Sequence, residues 1–141
     1  MQKDFYKIIE FPCSDTKNGI LYMYQTVKDN PESVPFEIKK VLFIRDMKPS
    51  DLRGGHTHHK THQLLFCISG ECKVDLDNGR NKITITLNKP NVGLLLYPYV
   101  WHVMHSFSND TMLLVIADNI YDEKDYIRKY EDFIQQLPKT V

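Results

Sequence analysis

The chain reads as an all-β fold, a small jelly-roll barrel carrying one short C-terminal helix. Two observations predict this. Short runs rich in Val, Ile, Leu, Phe and Tyr recur at close spacing, punctuated by Gly, Pro, Asn and Asp. Only the C-terminus shows a sustained helical period. Many short strands and one late helix fit a barrel or jelly roll.

In chain order, the expected strands are Lys7–Glu10, Ile20–Tyr24, Ile38–Arg45, Gln63–Ile68, Cys72–Leu76, Lys82–Leu87, Val92–Leu96 and Met112–Ala117. Asp77-Asn78-Gly79 separates two of them, and Asn-Gly favours a tight type I′ hairpin turn. Pro90-Asn91 and Tyr97-Pro98 break further runs. A helix is expected over residues 122–137. Tyr126, Ile127, Tyr130, Phe133, Ile134 and Leu137 fall on one stripe, Asp122 can cap it, and Pro138 follows it. No repeat or linker divides the chain, so residues 1–141 are expected to form one domain.

Eighteen basic and 18 acidic residues cancel, so the broad positive field of a nucleic-acid binder is missing. No apolar stretch approaches membrane-spanning length. Residues 1–10 alternate in charge without an apolar core, and a cytoplasmic location is the expectation. The three cysteines, Cys13, Cys67 and Cys72, form no CxxC pair, and the last two sit in apolar runs that suit structural thiols.

Chemistry concentrates between Arg53 and Gly70. His56 and His58 are separated by one residue, so on a strand both side chains share one face. Two imidazoles on one face can divide proton removal and proton return near neutral pH. His59 then points to the other face, towards solvent, and His62 follows a bend. Arg53, just upstream, offers a fork for a phosphate. A second constellation runs from Gly93 through Tyr97, Pro98 and Trp101 to His102. Tyr97, Tyr99 and Trp101 suit stacking on a base or sugar, or a place in the core. The charged groups Lys39-Lys40 and Lys124–Lys129 read as solvated faces.

These two constellations resemble the two signatures of the cupin barrel. The resemblance implies a metal held by two histidines, a Glu and a third histidine. Here the Glu position is Gln63, a neutral and weaker ligand, so the reading is metal-free proton transfer without a cofactor. A three-histidine site of His56, His58 and His102 stays open as the alternative, because three imidazoles can hold zinc or iron.

Five stretches narrow the resemblance: Pro35–Val41, Arg53–Lys60, Val92–Leu94, Val100–Met104 and Tyr121–Arg128. In order and content they are similar to the dTDP-sugar 3,4-ketoisomerases. That resemblance implies conversion of dTDP-4-keto-6-deoxyglucose to the 3-keto sugar through an enediol or enediolate, for 3-amino-dideoxysugar synthesis and surface polysaccharide. It implies His56 and His58 as catalytic residues, and Arg53, Tyr97, Trp101, His102 and Gln63 around the substrate. It also implies a homodimer, with strands from residues 1–24 exchanged between subunits. The sequence departs from the family where Lys17 or Asn18 replaces an Arg, where Leu42 and Phe43 replace tyrosines, and where Val103 replaces a Glu. His102, in place of an Arg, leans towards a galacto product. A non-catalytic nucleotide-sugar binder is the remaining alternative.

Overall fold

The computed structural model describes residues 5–138. Two five-stranded antiparallel sheets form the body. The first has the order β1 (Tyr6–Glu10), β9 (Val92–Leu96), β6 (Gln63–Ser69), β11 (Met112–Ala117), β4 (Lys40–Arg45). The second has the order β12 (Tyr126–Ile127), β5 (Arg53–His58), β10 (Trp101–His105), β7 (Cys72–Asp77), β8 (Lys82–Leu87). A separate hairpin joins β2 (Cys13–Thr16) to β3 (Gly19–Tyr22).

Strand alternation places the core. Leu65 and Cys67 of β6, Leu94 and Leu96 of β9, and Leu113 and Val115 of β11 pack with Val74, Leu76 and Met104 between the sheets. The intervening residues Leu64, Phe66, Leu95 and Ile116 face the other way, yet they are also buried. Phe11 and Val34 cover them, with Tyr24 packed alongside. The Tyr24 hydroxyl donates to the Pro90 carbonyl at 2.5 Å and pins this arm across the sheet. A strand buried on both faces loses its polar alternation, which is why Gln63–Ile68 reads as an unbroken apolar run.

The structure corrects three local expectations. The helix expected over 122–137 is instead a 3-10 turn (Glu123–Asp125), the strand β12, and a helix α1 of only Tyr130–Gln136. Tyr126 and Ile127 pair with His58 and Thr57 on the edge of β5, and a pleated pair satisfies the same apolar positions as a helical stripe. Asp122 does cap a turn, but the turn is the 3-10 one, where its side chain accepts from Lys124 N. Asn78-Gly79 is not a two-residue turn. The loop is longer, with Asn78 Oδ1 accepting from the backbone of Arg80 and Asn81. Strands β2, β5, β10 and β12 lie outside the expected runs, because they are short or interrupted by polar residues and glycine.

Candidate active site

Two adjacent glycines build the site. Gly54 and Gly55 both take left-handed backbone, φ +82° and +71°. They form a bulge: His102 pairs with His56, but Val103 already pairs with Gly54. A bulge re-aims the side chains beyond it. A Cβ on Gly54 would sit 2.8 Å from the His102 carbonyl oxygen, so the close approach of β5 to β10 needs glycine there.

Beyond the bulge three imidazoles cluster. Ring centroids lie 5.1 Å apart for His56 and His58, 4.8 Å for His56 and His102, and 6.1 Å for His58 and His102. His56 and His102 line an interior cavity of about 130 Å³ with Arg53, Gln63, Leu42, Leu96 and Tyr126. That is well below the roughly 300–1,000 Å³ of ordinary small-molecule pockets.

Burial dominates the electrostatics. Desolvation, then the neighbouring His58 and the guanidinium of Arg128, holds the pKa of His56 down to about 4. Desolvation, then His102, does the same for His58, also about 4, against a partial upward pull from Asp125. His102 is lowered to about 3 by burial and by His56. All three are therefore neutral at physiological pH, the form in which imidazole accepts a proton. The Nδ1 of His102 lies 3.2 Å from the Val100 carbonyl, which can only accept, so Nδ1 carries the hydrogen and Nε2 the lone pair. Among the described residues His56 Nδ1 and His58 Nε2 are buried without a partner.

Not every expected residue reaches the cavity. Gln63 does, buried at the start of β6, and so does Arg53. Trp101 does not. With His102 facing inwards, alternation turns Trp101 outwards, where it packs on Tyr130 and Phe133 of α1. Tyr97 stands outside the lining and packs edge-on against His62. His59 is not simply solvated: its Nδ1 lies 3.0 Å from the Tyr99 hydroxyl. His62 pairs with Asp118 at 2.9 Å. Leu42 lines the cavity with an apolar side chain, while Phe43 points away and is exposed.

Sequence reading missed Tyr126. Its ring lies 5.0 Å from His56 and 4.4 Å from His58, and the Arg128 guanidinium stacks on it at 4.2 Å. Arg128 is held bidentately by Glu123 at 2.6 and 2.9 Å. Within the Lys124–Lys129 stretch Lys124, Arg128 and Lys129 are exposed, as expected of a solvated group, whereas Tyr126 lines the cavity and Asp125 is only 4% exposed. A chance to find Tyr126 existed in the Tyr121–Arg128 stretch, but its helical period concealed the strand.

Among the described residues the three imidazoles cluster without the arrangement that would close on one metal ion. Gln63 offers no charge at the remaining position.

Residues 4–138 match the family model "FdtA: WxcM-like, C-terminal". The chain is 42% identical to the TDP-4-oxo-6-deoxy-alpha-D-glucose-3,4-oxoisomerase of Aneurinibacillus thermoaerophilus, over 94% of this chain and 93% of the relative. It superposes with TM-score 0.90 and 35% identity on a His-to-Asn variant of the 3,4-ketoisomerase QdtA from Thermoanaerobacterium thermosaccharolyticum in complex with TDP-4-keto-6-deoxyglucose, covering 96% of both chains. A 3,4-ketoisomerase from Helicobacter canadensis gives TM-score 0.87 at 38% identity, over 94% and 96%. A dTDP-6-deoxy-D-glucose-3,5-epimerase from Legionella pneumophila, at 17% identity and TM-score 0.75, shares the cupin-like barrel alone. Family match, relatives and the paired neutral imidazoles agree: this chain belongs to the FdtA, WxcM-like C-terminal family and is a sugar-nucleotide 3,4-ketoisomerase.

Proposed function

We propose that the substrate is TDP-4-keto-6-deoxyglucose and that His56 and His58 carry the protons. The observation that supports this best is the neutral imidazole of His56 on the cavity wall, with the neutral ring of His58 5.1 Å from it. His56 removes the proton at C3, and the electrons pass to the C4 carbonyl as an enediolate. A proton returns at C4, and the oxygen at C3 gives up its own as the new carbonyl forms. Atoms and electrons balance without a redox partner. His58 serves the oxygens, and a positioned donor and acceptor suffice for such a step. A relative with a His-to-Asn change still holds the keto-sugar, in keeping with a histidine needed for turnover more than for binding.

Arg53 at the cavity rim suits the diphosphate, and His102 and Gln63 suit the sugar hydroxyls. The face from which C4 is reprotonated sets the configuration. His102, with its Nε2 lone pair, favours the galacto product. The chain acts as a homodimer in the cytoplasm. Exposed apolar side chains on two elements, Ile20 and Leu21 on β3 and Val41 and Phe43 on β4, suit a second copy, and the free thiols suit a reducing compartment.

Proton NMR with TDP-4-keto-6-deoxyglucose tests the reading. In deuterated water the C3 proton signal disappears as 3-keto signals grow, with or without chelator. In ordinary water a small H4–H5 coupling marks galacto and a large one gluco. Loss of turnover on chelation would instead favour the metal alternative, and binding without exchange the non-catalytic one. Light scattering checks the dimer.

A further inference from the structure

Asp125 is a buried carboxylate with no role in the steps above. Its bonds run to three successive residues of the loop that follows His58. The His59 backbone N–H donates to the Asp125 carbonyl at 2.9 Å. The Lys60 N–H donates to Oδ1 at 2.9 Å. The Thr61 hydroxyl donates to Oδ2, a short contact. Asn119 Nδ2 in turn donates to the Thr61 oxygen at 3.2 Å. Asp125 and Thr61 are 4% and 3% exposed. Immediately after Asp125 comes Tyr126, which pairs with His58 across β12 and β5 and touches both catalytic rings.

We infer that Asp125 is a positioning residue that clamps the 59–61 loop to β12 and thereby sets His58 and Tyr126 against each other. The reasoning is one of constraint. β12 has only two residues, too few for ladder bonds to fix its register alone. The side-chain bonds of Asp125 supply that register from outside the ladder. A carboxylate accepting an N–H and an O–H is also a stronger acceptor than a neutral group. Asp125 does not touch the cavity, so its effect on chemistry passes through its neighbours. Its charge also faces His58, whose surroundings include His56, His102, Lys40, Arg128 and the Tyr126 phenol.

This inference rests on the histidine roles proposed above, and the test separates the two. Three variants, Asp125→Ala, Asp125→Asn and Thr61→Val, are assayed beside wild type for kcat, KM, TDP affinity and melting. Asp125→Ala is expected to lower kcat about 10- to 100-fold with KM within a few-fold, the scale of an ångström-level misplacement. Asp125→Asn keeps an acceptor for Lys60 N–H and can donate to the Thr61 oxygen, so it should recover most of kcat. It also removes the negative charge, which moves the acidic limb of the kcat/KM profile to lower pH. Thr61→Val breaks one arm of the clamp and should give an intermediate loss while the fold is retained. If wild type turns over but folded Thr61→Val and Asp125→Asn match it in kcat and pH profile, the positioning role is overturned. The histidine roles then stand. A wild type without turnover overturns those roles, and this inference with them.

Discussion

The interior of this barrel has two regions built from the same strands, and they use burial to opposite ends. On β6, Gln63 lines the cavity, whereas Cys67, four positions on, packs among Cys72, Val74 and Leu113. On β10, His102 is 3% exposed and faces His56, while Phe107 beyond the strand is 2% exposed and belongs to the apolar cluster. At the apolar region, burial stabilises the fold. At the imidazole region, burial costs stability and keeps three bases neutral. The lesson is that a catalytic wall in this fold needs an apolar partner region in the same sheets to offset it.

That contrast can be broken from either side. His56→Asn should cut conversion by about 10³-fold, in the range general bases supply, while calorimetry shows TDP affinity within a few-fold. Normal turnover in the variant would assign the base elsewhere. At the apolar region, Leu113→Ala removes a fully buried side chain and should cost about 2–5 kcal/mol of stability by urea unfolding. Its kcat at low temperature should stay near wild type. A large loss of kcat in folded Leu113→Ala would mean the two regions are not separable. Acid should find the imidazole region first. In the unfolded chain the histidines protonate near pH 6.5, but in the fold not until about 4 or 3. The unfolded state thus binds more protons between these limits. Stability is complete above about pH 6.5 and falls by an order of several kcal/mol towards pH 4. Unfolding midpoints measured across that range check the sign, and a flat profile would mean the rings are already paired or solvated.

How much of this was legible in the sequence follows the same division. Most strands are, because short runs rich in apolar residues are set off by Gly, Pro, Asn or Asp. The histidine pair is also legible, since one intervening residue on a strand puts both on one face. What is not legible is what depends on pairing between distant segments. Tyr126 and Ile127 carry a helical period and become a strand only because the edge of β5 is open to them. Asp125 reads as one more surface charge until the loop 59–61 folds over it. Trp101 turns away from the cavity because it alternates with His102 along β10, a short strand of mixed composition that does not stand out in the sequence.

The finest test concerns the join between the regions, the glycine bulge. Gly54 and Gly55 have nearly the same left-handed backbone, so an alanine at either carries a similar strain of about 1–2 kcal/mol. Their surroundings differ. A Cβ at Gly55 meets open space, whereas a Cβ at Gly54 meets the His102 carbonyl at 2.8 Å and the Met104 sulfur at 3.3 Å. Relief at Gly54 requires β5 and β10 to part, and those strands carry His56 and His102. Gly55→Ala should therefore lose only the backbone strain, a few degrees in melting temperature, with kcat little changed. Gly54→Ala should lose more in melting and, in addition, about tenfold in kcat as the two rings separate. The difference between the variants carries the information, since backbone strain cancels in it. Equal kcat in both would mean that the close approach at Gly54 serves packing alone, and that the spacing of His56 and His102 is set elsewhere along the strands.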